Sequence, residues 1–485
     1  MIKKQALING EWVEAKSGER FDVISPGDGS VVGSVPRCSK EDAAKAVEAA
    51  QQGRAALKKL SLLKRIELLH KAVEIAKIKD KETCRIMCME SGKPMAQSIS
   101  EASPSTGYSW SNFHVAMNNV KSHRGLTLPN VTEDNNNKRI IHTYEPVGVV
   151  ANLSTFSYPS EMPNCTIPYA LALGNAVIVK PSCGAPISAI LIAEALHEAG
   201  FPAGSINVVT GPGSDVGDEL VSNPGVQAIN LFGQENTCEK VTQRAGMKRI
   251  LAAVVSNNPF IVMDDANIEE AVLSAAQGAY GHNGQSPIST RRILVHKDVY
   301  HSFVKKFVEK TKSMIFGDPM DLKTDIGPLN NEKILNQTLA NLADAREKGG
   351  KFLTGGHGSK GLYLEPTIID EATQDMLVTN EPTMGPVVPI MTFDTIEQAV
   401  EMANATRFGF QAGAFTSSLS NAYFLSENIE SGSVYINEAT SCWDEMSPFG
   451  GVKKSGMGRM LSNWIFNELT NVKMTLFDIG KVKKG

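Results

Sequence analysis

Apolar and polar positions along the chain follow two rhythms. Residues 5–36 form short apolar stretches broken by turn residues, with Asn9-Gly10 as a hairpin signal and Ser25-Pro26-Gly27-Asp28-Gly29 as a second turn cluster, so short strands are predicted. From Lys40 to about Lys79 the spacing becomes helical (Ala43, Val47, Ala50, then Leu62, Ile66, Leu69, Val73, Ala76), and Ser39 is placed to cap it. A further helix is expected over Glu82 to Glu90, closed by Gly92, with Pro94 opening the next. The polar run Val131 to Asn137 marks an exposed turn, and residues 124–145 read as a protruding hairpin.

From Val147 the pattern changes to strand, loop, helix. Strands are predicted over Val147 to Ala151, Ala176 to Lys180 and Ile206 to Thr210, and helices over Met162 to Leu173 and Ile187 to Gly200. The last strand runs into Gly211-Pro212-Gly213-Ser214-Asp215-Val216-Gly217 and a helix, the setting of a nucleotide-binding sheet. Those glycines fit a tight turn as readily as a binding loop. A second α/β stretch, with Phe260 to Met263 as strand and Ile268 to Gly278 as helix, continues to about 455 without an internal repeat.

At 485 residues the chain exceeds the size of a single core, so more than one domain is expected. A formal net charge of −4 and the absence of a basic patch with interleaved aromatics argue against nucleic acid or an anionic membrane as partner. No apolar run approaches a membrane span, and the N-terminus reads as having no signal peptide. Seven scattered cysteines fit reduced thiols and a cytoplasmic location. Cys84 and Cys88 lack the further ligands of a zinc set, so no metal is expected.

Several segments carry a family likeness: Glu145-Pro146-Val147-Gly148-Val149, Val179-Lys180-Pro181-Ser182, Gly317-Asp318-Pro319, Glu365-Pro366-Thr367 and Ser447-Pro448-Phe449-Gly450-Gly451, in order across almost the whole chain. On these residues the chain resembles the aldehyde dehydrogenase superfamily. The resemblance implies an α/β, aldehyde dehydrogenase-like fold. Its parts would be a Rossmann-like nucleotide-binding domain (1–123 and 146–254), a second, catalytic-type α/β domain (255–458), and a small oligomerisation arm with the C-terminal tail (124–145 and 459–485). It also implies a homo-oligomer, dimer or tetramer, or a hetero-oligomer with an active relative or pathway enzyme.

Where the resemblance assigns chemistry, the residues differ. Asn283-Gly284-Gln285-Ser286-Pro287 stands where the family reads Gly-Gln-x-Cys, so Pro287 brings neither a thiol nor a backbone NH. Ser157, in Thr155-Phe156-Ser157-Tyr158-Pro159, takes the place of the oxyanion-hole asparagine, and Ala253 that of the general-base glutamate. Among cofactor contacts Lys180 is kept, whereas Cys183 replaces an acidic ribose partner and Pro382 a second carboxylate. Gln234 and Cys238 add bulk after Gly233, where close approach to a pyrophosphate is wanted.

The expectation is a catalytically degenerate member: a pseudoenzyme with a structural, regulatory or ligand-binding role and no intact catalytic residue. No cofactor is expected beyond weak or vestigial NAD(P) binding through Lys180, Gly211, Gly213 and Gly233. Two enzymatic alternatives stand beside it. One is acyl transfer or hydrolysis in the old substrate tunnel, with Cys442, Cys165 or a serine such as Ser286 or Ser289 as nucleophile. The other is NAD(P)-dependent aldehyde oxidation with a displaced nucleophile. His282 reads as a satisfied structural histidine, and Trp443 and Tyr158 as core packing or pocket walls.

Overall fold

The Asn9-Gly10 signal folds as expected: strands Ala6–Ile8 and Glu11–Val13 pair antiparallel across it, with Asn9 and Gly10 both in the left-handed region (φ 55° and 77°). The computed structural model describes residues 1–130, 132 and 135–480, so the polar turn at 131–137 lies partly outside the described residues. That hairpin edges a larger sheet whose centre is five parallel strands in the order Arg249–Val254, Ala228–Gly233, Val149–Leu153, Ala176–Lys180 and Ile206–Val208. The central strands are buried along almost their whole length and mostly apolar because helices cover both faces. Burying one Val or Ile side chain contributes about 1.5–3 kcal/mol. The chain winds outward from Val149–Leu153 in one direction, then returns to place Ala228–Gly233 on its other side. This reversal opens a crevice at the carboxyl ends of those two strands, where α/β sheets bind ligands.

A second sheet holds six parallel strands in the order Thr367–Asp370, Val387–Phe393, Thr290–His296, Asn258–Val262, Gln411–Phe415 and Ser433–Ile436, with Lys351–Thr354 antiparallel at one edge. The predicted hairpin is present as strands Leu126–Leu128 and Lys138–Pro146, and Thr470–Asp478 pairs with the latter along its whole length. Val472, Met474, Leu476 and Phe477 on that last strand are exposed.

Boundaries depart from the sequence reading for local reasons. The helix expected over Lys40 to Lys79 is two, Lys40–Lys58 and Leu62–Ile78. Ser39 and Asp42 close a reciprocal capping box on the first, and Ser61 Oγ caps the second by accepting from Lys64 N. Met162 to Leu173 is likewise split, into Glu161–Asn164 and Ile167–Leu173, because Pro168 has no NH to continue the first helix. The strand expected from Val147 starts at Val149, since Gly148 has φ +136°.

Candidate active site

The crevice at the switch point is a cleft of about 710 Å³, within the range of cofactor sites. Its floor comes from the strand ends Leu153 to Ser157 and Leu231 to Gly233, and its rim from Lys180, Ser182, Cys183, Gly213 and the helix Glu235–Ala245. No side chain caps that helix, so its first NH groups are free to meet an anion. Lys180, Lys240, Arg244 and Lys333 bring positive charge to the walls, against a single lining carboxylate, Asp218, which pairs with Arg244.

The glycines divide by role. A Cβ on Gly211 (φ +145°) would meet the Cys38 carbonyl oxygen at 2.7 Å, so this glycine serves a close backbone approach, as the tight-turn reading held, and it does not line the cleft. Gly213 and Gly233 do line it, with open space around Gly213. Lys180 is buried, donates to the Pro181 carbonyl at 3.0 Å, and has its pKa lowered by burial. Of the two side chains expected to add bulk, Gln234 is exposed and does line the cleft, whereas the Cys238 sulfur packs into the core beneath the helix. Pro382 does not line the cleft, and the adjacent Glu381 is held by Arg407 at 2.9 and 2.7 Å.

Behind the cleft, across Phe232 and the turn Ser157-Tyr158, lies a smaller cavity of about 80 Å³. Aromatic rings dominate its wall: Tyr108, Tyr158, Phe232, Trp443 and Phe449. Pro287 and Ile288 close one side, Glu161, Met162 and Cys165 another. The loop bearing Pro287 is held in a costly shape, with His282, Asn283 and Gly284 left-handed in succession (φ 52°, 58°, 66°). Several bonds over-determine it. Asn283 Nδ2 donates to the Gly92 and Pro328 carbonyls (2.9 and 2.8 Å), and its Oδ1 accepts from Gly327 N. The buried Arg291 guanidinium donates to Gly284 O and Ser286 O (2.6 and 2.9 Å), its pKa pulled down to about 9 by burial. Asn258 Nδ2 donates to the Pro287 and Ser289 carbonyls, both at 2.9 Å.

Ser157 and Pro287 are thus brought together, as the resemblance implied: Ser157 Oγ donates to Gln285 O at 2.8 Å, and Tyr158 OH donates to Ser286 Oγ at 2.9 Å. Ala253 is buried on strand Arg249–Val254, between Phe232 and Gly456, and lines neither cavity. Cys165 does reach the small cavity, but its thiol donates to Glu161 Oε1 at 3.1 Å, and burial raises its pKa far above a thiol's usual value. It is no thiolate nucleophile. Cys442 is displaced: Ser441 and Trp443 face the cavity and Cys442 does not, its pKa raised by burial and by Glu438. His282 is fully buried with neither ring nitrogen hydrogen-bonded, so it is not the satisfied histidine expected; burial and Lys93 lower its pKa well below the usual value.

The sequence reading missed the buried polar cluster beside the cavity. Lys93 and Glu101 form a fully buried ion pair, and Lys93 Nζ lies 4.0 Å from the centre of the Tyr158 ring. Glu101 Oε1 accepts from Ser160 N and Glu161 N at 3.0 Å each. Glu161 accepts from Asn112 Nδ2 at 2.9 and 3.1 Å, and burial pushes its pKa up to about 8. A carboxylate beginning an otherwise apolar run, Glu161-Met162-Pro163, was the available signal.

Twin parallel sheets with a cleft at the switch point define a dinucleotide-type α/β protein. The chain belongs to the aldehyde dehydrogenase family, which residues 12–475 match. It is similar to a lactaldehyde dehydrogenase of Methanocaldococcus jannaschii, 34% identical over 96% of this chain and 98% of the relative. The NADP(+) succinate-semialdehyde dehydrogenase GabD of Escherichia coli is 33% identical over 98% and 97%. A solved structure of PnpE in complex with nicotinamide adenine dinucleotide superposes with a TM-score of 0.94 at 30% identity, covering 99% of each chain.

Two expectations are thereby corrected. Relatives a third identical from end to end are named dehydrogenases, which contradicts a catalytically degenerate protein, and cleft, cavity and strained loop are all formed. The expectation of no cofactor falls to the neighbour solved with its dinucleotide and to a cleft that stays open with Cys238 packed beneath it. No helix among the described residues is long and apolar enough to cross a membrane.

Proposed function

We propose that this chain is an NADP-linked oxidoreductase acting on a small aldehyde. The observation that carries the reading is the junction of two cavities: a cation-lined cleft at the switch point meets a closed aromatic pocket at Phe232 and Ser157-Tyr158. The residues present fit a dinucleotide. The open N-terminus of helix Glu235–Ala245 and the cations Lys240 and Arg244 suit the pyrophosphate. Cys183, where the resemblance places an acidic ribose partner, removes the carboxylate that would repel a 2′-phosphate, so NADP is favoured over NAD. When bound, the nicotinamide supplies the hydride acceptor for oxidation of the aldehyde.

The resemblance assigns the thiol position to Pro287 and the base position to Ala253, so a covalent thiol route through either residue is closed. The route left is direct oxidation of the hydrated aldehyde: the diol carbon gives up a hydride, a diol hydroxyl gives its proton to water, and a carboxylic acid remains. This asks the protein for orientation and exclusion of side reactions rather than for a nucleophile. The rigid Gly284 to Pro287 loop and the aromatic walls supply both. Calorimetric titration with NADP+ tests the reading, followed by absorbance of NADPH on adding short aldehydes. Micromolar binding and steady NADPH formation are expected; no heat at millimolar NADP+ would overturn it.

A further inference from the structure

The helix Glu235–Ala245 sorts its charges by face. Thr237, Lys240, Val241 and Arg244 line the cleft, whereas Glu235 and Glu239, one turn apart, do not. Both acids are taken up from the other side. Arg407 Nε donates to the two Glu235 carboxylate oxygens at 3.0 and 3.3 Å, and Lys454 Nζ pairs with Glu239. The two cations flank one two-stranded ribbon, in which Phe408 is paired with Lys453 and Gly409 with Val452, and Lys454 N donates to the Arg407 carbonyl at 3.0 Å. Glu381 grips the far side of the same guanidinium, which also lies 4.5 Å from the centre of the Phe408 ring, so Arg407 meets Glu235 from a fixed position.

Glu235 stands where its charge matters most. It is the first residue of the helix, and the free NH groups of that end are the ones that face an anion in the cleft. A carboxylate in the first turn is favoured by the helix dipole, but it repels a pyrophosphate drawn to the same end. The cleft wall shows the same economy, since its single carboxylate, Asp218, is paired with Arg244. Ion pairs this exposed add little to folding stability, so the effect of Arg407 belongs to anion binding rather than to unfolding.

We propose that Arg407 is a positioning residue for the cofactor: it holds the Glu235 carboxylate away from the cleft and cancels its charge, which leaves the helix N-terminus electropositive for a pyrophosphate. Lys454 does the same for Glu239 one turn further on. The assignment rests on the dinucleotide reading for the word cofactor; the masking applies to any anion at that helix end.

The test compares the native full-length protein with Arg407→Gln, Glu235→Gln and the double variant, each titrated calorimetrically at low ionic strength with NADP+ and, separately, with inorganic pyrophosphate. Arg407→Gln should weaken both ligands about fivefold. Glu235→Gln alone should stay within about twofold of native, and the double variant should recover to within about twofold. An arginine needed only for packing is not rescued by removing the acid it pairs with. Arg407→Lys keeps the charge and should also stay within about twofold, which preserves a test if the glutamine variant folds poorly. Unchanged affinity in Arg407→Gln, a loss shared equally by the single and double variants, or an equal loss in Arg407→Lys overturns the masking role, while NADP+ binding by the native protein keeps the oxidoreductase reading. The rescue pattern seen with pyrophosphate in a protein that does not bind NADP+ does the reverse. No binding of either ligand by the native protein overturns both.

Discussion

The large cleft and the small cavity lie back to back and are built on opposite principles. Backbone and solvent shape the cleft: strand ends, glycines, an uncapped helix and long cations that reach water. Side chains from five separate stretches of chain close the cavity, and among them Glu161 and Cys165 are buried and hydrogen-bonded. A site made of backbone survives exchange of single side chains. That is why Cys238, which looks obstructive as a letter, leaves the cleft open: its sulfur packs into the core beneath the helix. A site made of side chains is specified residue by residue, and there Pro287 and Glu161 shape the wall.

The comparison is broken most severely at the strained loop that closes one side of the small cavity. A Cβ on Gly284 would lie 2.0 Å from the Gly385 carbonyl oxygen, a clash no rotamer relieves, and its φ is +66°. Gly284→Ala should destabilise the protein by about 3 kcal/mol or more in denaturant unfolding. An effect below about 1 kcal/mol would show that the loop yields and that its strain is not structural.

Next in size is the effect on assembly. We propose that the chain self-associates through the strand Thr470–Asp478, whose Val472, Met474, Leu476 and Phe477 are exposed on a paired but uncovered sheet. Leu476→Glu should reduce the mass seen by light scattering, and an unchanged mass would remove that strand from the interface.

The cleft should answer to charge. Lys240→Glu with Arg244→Glu should weaken NADP+ binding about tenfold and flatten its salt dependence. Undiminished binding would remove both cations from the cofactor's contacts.

The smallest effect is on stability against pH. Burial raises Glu161 to about 8 and Glu90 to about 7, above the usual 4.5 of the unfolded chain. A raised carboxyl pKa means that the native state binds more protons, so this contribution is full below about pH 4.5 and is lost as pH rises towards 7–8. Unfolding midpoints at pH 5.5 and 8.5 should therefore lie closer together in Glu161→Gln than in the native protein. A native protein whose stability rises over that interval would contradict the assignment.

Fold and cleft were largely legible in the sequence because both follow from short-range patterns. The Asn9-Gly10 turn, the Ser39 cap and the strand-loop-helix rhythm after Val147 each carry their own signal, and errors fell at breaks such as Pro168 and Ser61. The small cavity was not legible. Glu161 meets Asn112 across 49 residues, and Tyr158 meets Ser286 across 128, pairings that no local pattern announces. Pro287 and Ala253, read against the family resemblance, invited too strong a conclusion, because single positions say nothing of a pocket assembled elsewhere in the chain.

The central claim is that the cleft holds a dinucleotide and the chain oxidises an aldehyde with it. Titrating the purified protein with NADP+ in a calorimeter tests this most directly, with NADPH absorbance then followed on adding short aldehydes. A micromolar dissociation constant, tighter for NADP+ than for NAD+, with steady NADPH formation is the predicted result. No detectable heat at millimolar cofactor, or binding without any NADPH formed from short aldehydes, would contradict it.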